Sequence, residues 1–175
     1  RYYTAITSHK LRRITALEPS RIFATKYDTL VGLARGDADF VDAIHASAFG
    51  FGTPARVGNA DFYVNGPTYA PEGADNVLEA AALATSVYAE SLIYGNEHSF
   101  PAIRANSLEQ YKAHQGMGPR AFMGIACEFD TQGDYILEVN TKSPHGRRTP
   151  AHAQRGYHGN HQAWKKWNKN NSEEY

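Results

Sequence analysis

Cysteine is nearly missing: Cys127 is the only one in 175 residues, so no disulfide can form within the chain. Taken alone, that favours a reducing compartment, although a domain of this size needs no covalent staples. An excess of charge is missing too. Eighteen Lys and Arg balance eighteen Asp and Glu, so no global field argues for nucleic acid or membrane binding. No apolar run reaches the roughly 18 residues of a membrane span. The opening RYYTAITSHKLRR lacks the apolar core of a secretory leader. There is no G-x-S-x-G nucleophile elbow; the nearest frame, GLARG (32–36), has Ala34 at its centre. A hydrolase serine would therefore have to lie upstream of Arg1. Neither a glycine-rich phosphate loop nor a Cys-based metal spacing occurs, so no cofactor or metal is expected.

What remains has the composition of an ordinary folded domain, 42% hydrophobic and 21% charged. LRRITAL (11–17) reads as a strand stopped by Pro19, because the residue before proline is biased to extended geometry. FVDAIHAS (40–47) has the near-continuous apolar character of a strand covered on both faces. Glycines and prolines make 48–75 a long loop, interrupted by the run ADFYV. NVLEAAALATSVYAESLIY (76–94) is the clearest helix, with Asp75 as N-cap and Gly95 at the C′ position. Leu78, Ala81, Ala82, Thr85, Tyr88, Ala89 and Leu92 are its expected inward stripe. SLEQYKAHQ (107–115) predicts a short second helix. RAFMGIACEF (120–129) and GDYILEVNTK (133–142) predict a hairpin around DTQG, its second arm half-solvated. The body is thus assigned to 1–144 and a basic tail with two tryptophans to 145–175.

Several side chains invite a chemical reading. Glu18 stands where a strand meets a Pro turn, the place of an orienting acid. Strand-end carboxylates also cap turns and pair with arginine. Of the eight histidines, His158 and His161 in YHGNH have ligand-like spacing, but no carboxylate or cysteine cluster accompanies them. His45, ending a buried strand, fits a hydrogen-bonded core histidine better than a catalyst. Asn170-Asn171-Ser172 is a glycosylation triplet in the polar tail.

ITALEPS resembles the I-T-G-L-D-P-A stretch of the animal lipase family that includes pancreatic lipase. GDADFVDAIHAS is similar to its D-A-x-F-V-D-V-I-H. NADFYVNGP resembles G-H-x-D-F-x-P-N-G-G, with Asn59 for His, Val64 for Pro and Pro67 for the final Gly. GDADFVDAIH, GADNVLEA, YAES, GNEHSFPA, GDYILEVNTKSPHGR and YHGNHQAW are similar to the family's non-enzymatic branch, the yolk proteins (vitellogenins) of higher flies.

The resemblance implies an α/β-hydrolase fold of which this chain is the C-terminal half. The first strands, the lid region and the elbow would lie upstream. Residue by residue, the family's triad acid falls on Glu18. Its base, the His of C-x-H-x-R-x-x-x-Y-x-x-D/E-S-I, falls on Ala81 when D/E-S is aligned with Glu90-Ser91. The neighbouring family cysteine falls on Glu79, so the family's disulfides are absent as well and the hint of a reducing compartment loses its force. Two functions follow. One is a catalytically inactive storage protein, secreted into haemolymph, taken up by oocytes and kept in yolk granules for the embryo. Its partners would be the N-terminal half of the same domain, other yolk polypeptides in an oligomer, an oocyte endocytic receptor, and a lipid or steroid conjugate in the former cleft. Lys165 and Lys166, flanked by Trp164 and Trp167, are the expected receptor contacts, and Asn170 the glycosylation position. The alternative is an active lipase or phospholipase with an upstream serine. Ala81 discriminates between them, because an alanine cannot carry a proton.

Overall fold

The computed structural model describes residues 9–20, 32–50, 52–72, 74–93, 100–115 and 121–147. Among the described residues six strands form one mixed sheet. In chain order they are β1 (Leu11–Leu17), β2 (Ala38–His45), β3 (Ala60–Val64), β4 (Pro101–Arg104), β5 (Ala121–Phe122) and β6 (Gly133–Leu137). Across the sheet the order is β1-β2-β3-β6-β4-β5. The first four of that order are parallel, while β4 runs antiparallel to both β6 and β5. The α/β class expected from the sequence is the class observed.

β2 is buried at every position except Asp39, as its apolar run requires of a strand flanked on both sides. Helix α1 (Val77–Ile93) and the short α2 (Leu108–His114) fall where predicted. Ser107 caps α2 by accepting from the Gln110 amide. The cap of α1 is Asn76 rather than Asp75: its Oδ1 accepts from the amides of Leu78 and Glu79 at 3.0 and 3.1 Å. Glu79 reaches back to the Asp75 amide at 2.7 Å, completing a reciprocal cap.

Two further expectations are corrected. The buried stripe of α1 is Ala80, Leu83, Ala84, Val87, Glu90 and Ser91, whereas Leu78 and Leu92 point to solvent. The helix is so rich in alanine that its two sides differ little in hydrophobicity, and the acid that settles the facing, Glu90, lies inside. The hairpin of 120–129 with 133–142 does not form either. β5 pairs with β4, and β6 inserts between β3 and β4. Tyr135, Ile136 and Leu137 are all buried, so β6 is a central strand covered on both faces. Its polar Glu138 and Asn140 lie beyond its end.

The main core packs Phe40, Ile44 and Phe62 of the sheet against Leu83 and Val87 of α1, with Met123 beside them. His145 and Gly146, which the sequence reading gave to the tail, are buried against α1, so the body extends at least that far. Among the described residues no helix is long and apolar enough to cross a membrane.

Candidate functional site

In open α/β sheets, sites form at the carboxyl ends of parallel strands, and Glu18 stands at such an end. Its backbone is left-handed, φ 49°, a conformation that costs an L-residue about 1–2 kcal/mol. Its amide donates to the Ile44 carbonyl at 2.8 Å, extending the β1–β2 pairing by one bond. Its carboxylate turns to the end of β2, where Oε2 accepts from the Ala46 amide at 2.5 Å. The Ser47 amide is shared between both oxygens at 3.0 and 3.1 Å, and the Ser47 hydroxyl donates to Oε1 at 2.6 Å. The chain then turns so that the Gly50 and Gly52 amides donate to the Ser47 carbonyl. Gly52 has to be glycine: a Cβ there would collide with Glu18 Oε1 and lie 2.8 Å from the Ser47 carbonyl oxygen.

Glu18 is thus bound by backbone amides and a hydroxyl; among the described residues no imidazole is hydrogen-bonded to it. His45, the last residue of β2, is committed elsewhere. It is fully buried, its Nε2 lies 2.9 Å from Asp61 Oδ1, and its ring stacks on Tyr63 at 4.6 Å. Asp61 also accepts from the amides of Val57 and Gly58. His45 is therefore the core histidine the sequence suggested. Its Nδ1 has no hydrogen-bond partner among the described residues.

Ala81 occupies the second turn of α1, and its carbonyl accepts from the Thr85 hydroxyl at 2.9 Å. It offers only a half-buried methyl group. Lys165, Lys166, Asn170, His158 and His161 lie outside the described residues.

Two charged constellations escaped the sequence reading. Asp42, fully buried in β2, receives a two-pronged contact from Arg13 at 3.0 and 2.7 Å and the Thr15 hydroxyl at 2.8 Å. Burial works against the Arg13 charge, but the bonds and charge of Asp42 outweigh it and leave its pKa raised. Arg13 also donates to the Gly124 carbonyl, tying β1 to the turn after β5. Glu90, buried on α1, accepts from the Ser143 hydroxyl at 2.6 Å and the amides of His145 and Gly146 at 2.7 and 3.2 Å. Burial disfavours the Glu90 anion, yet these donors and the nearby His145 hold its pKa below the ordinary value. Burial drives the Cys127 thiol the other way, up to about 12, which makes it inert as a nucleophile at neutral pH. Among the described residues no group of three His, Cys, Asp or Glu side chains could hold a metal.

A family model described as Lipase matches residues 4–145. This chain belongs to the lipase family. It is 57% identical to Vitellogenin-3 of Drosophila melanogaster, over 92% of this chain and 38% of the relative. It is 59% identical to Vitellogenin-1 of Ceratitis capitata, over 99% of this chain and 40% of the relative. Against the pancreatic triacylglycerol lipase of Oryctolagus cuniculus it is 31% identical, over 69% of this chain and 26% of the lipase. The chain spans about two fifths of the length of the vitellogenins it matches. The resemblance to both branches of the lipase family, read from short stretches of sequence, is borne out across the body of the chain.

Proposed function

We propose that this chain is part of a yolk storage protein, a lipase relative that does not hydrolyse esters. The observation that carries the reading is Ala81 at the position of the family's base. A serine hydrolase needs an imidazole to take the serine proton and return it to the leaving group. Loss of that group costs on the order of 10⁶ in turnover, or about 8 kcal/mol of transition-state stabilisation. Glu18 is the relic of the acid: its carboxylate is engaged by Ala46 and Ser47. Vitellogenin names at 57% and 59% identity support the storage role.

In this reading the protein is secreted into haemolymph and assembles with the rest of its domain and with other yolk polypeptides. An oocyte receptor takes it up into yolk granules, and its products are amino acids, with an apolar ligand such as a lipid or steroid conjugate in the former cleft. Lys165 and Lys166 grip the receptor and Asn170 carries the glycan. An exposed charge pair contributes about 1 kcal/mol or less, so uptake needs several such contacts. The deciding experiment offers a short-chain p-nitrophenyl ester to the purified full-length protein. No turnover sensitive to a serine-directed inhibitor is expected; such turnover would establish the lipase alternative.

A further inference from the structure

We propose that the protein binds an oxyanion in a groove at the opposite end of the sheet from Glu18. The groove, of about 540 Å³, falls within the size range of small-molecule sites. It opens where β4 runs into α2, beside the start of β6, and its lining includes Arg56, Arg104, Asn106, Gln110, His114 and Asp134.

Among the described residues the charges there do not cancel. Asp134 is already committed to Arg56, which donates Nε–H and Nη2–H to its two oxygens at 2.9 and 2.6 Å. Arg104 has no carboxylate partner among the described residues. Its position is nevertheless defined, because Gly133 opens the space it crosses: a Cβ on Gly133 would lie 3.2 Å from Arg104 Nε and 3.4 Å from Nη2. Gly133 also has φ +122°, so a side chain there would be strained as well as crowded. The His114 ring sits against the Arg104 backbone, Nδ1 to the carbonyl at 3.0 Å. Gln110 uses its carbonyl oxygen to accept from the Asn106 amide at 2.9 Å, which leaves its NH₂ group as a further donor. A guanidinium without a carboxylate partner among the described residues, held across glycine with amide donors beside it, suits a phosphate, sulfate or carboxylate group, whose oxygens match the two-pronged arginine fork. This reading is independent of the storage role and of the fate of the triad.

The test is calorimetric titration of the full-length protein with inorganic phosphate at low ionic strength, with acetate in a second arm to separate a phosphate-type from a carboxylate ligand. Saturable binding is expected in at least one arm. Charge-assisted hydrogen bonds of this kind make Arg104→Gln about ten- to a hundredfold weaker. Arg104→Lys, which keeps the charge but not the fork, is also expected to bind less tightly than wild type. Lys10→Gln, at an exposed cation outside the groove, should bind as wild type does. Absence of saturable binding in both arms, unchanged affinity in Arg104→Gln, or an equal loss in Lys10→Gln would overturn the proposal.

Discussion

Glu18 and Glu90 are held by the same kit, one serine hydroxyl and two successive backbone amides, in two different settings. Glu90 lies in a regular helix, buried, and fastens the 143–146 segment to α1. Glu18 sits half-buried on a left-handed backbone and fastens the end of β1 to the end of β2. In the proposed reading only Glu18 is the relic of a catalytic acid, yet both carboxylates make the same kinds of contact. An acid's place in a family pattern therefore says little about its work. Its donors say more, and here both acids brace a chain segment against a neighbouring element.

The comparison breaks most visibly at Glu90. Glu90→Ala returns the exposed Ser143 hydroxyl to water but strands the amides of buried His145 and Gly146, each costing about 1–3 kcal/mol if left unpaired. We expect a loss of about 3–5 kcal/mol in urea denaturation of the full-length protein; a loss under about 1 kcal/mol would mean that water replaces the carboxylate freely. Glu18→Ala should cost less, about 1–2 kcal/mol, because the half-exposed side chain it removes leaves a space through which water can reach the buried Ala46 and Ser47 donors. Glu18→Gly removes the same bonds but relieves the left-handed backbone, and should recover about 0.5–1 kcal/mol relative to alanine. If the two variants were equally stable, φ 49° would not be a source of strain.

The smallest effect is a pH dependence. The Glu90 pKa is lowered from 4.5 in the folded protein. A carboxyl lowered on folding adds stability that is present above its unfolded value and is lost as pH falls through the folded one. The stability gap between wild type and Glu90→Gln should therefore be constant near neutral pH and narrow below about pH 4.5. A gap that widened on acidification would contradict the sign of the shift.

Sequence alone made much of this legible, and the failures share a cause. Strand β1 with its proline stop, the two-sided burial of β2 and the span of α1 all follow from local pattern. Glu18 was found because proline and a family motif mark it. Glu90 was not, because on a helix of alanines an acid reads as the solvent face, and only the 143–146 segment, some 50 residues away, makes it interior. The rejected hairpin has the same origin: DTQG is a sound turn, but a turn cannot disclose that another strand will take the partner's place. Asp42 and Arg13 likewise meet only once the sheet is assembled. The groove at Arg104 depends on which carboxylate Arg56 claims, and no spacing in the chain encodes that.

The sheet order has a consequence for biosynthesis. β6, the last of the described strands to be made, occupies a middle place between β3 and β4. A ribosome reaching the end of β3 has about 70 residues still to add before Leu137, roughly 4–15 s at ordinary elongation rates. Throughout that interval one long edge of the nascent β1-β2-β3 sheet stays open, and its apolar β3 is a template for the wrong strand. Folding of this domain is therefore gated by the arrival of GDYIL, and a ribosome stalled just short of it would hold two half-sheets with nothing to join them.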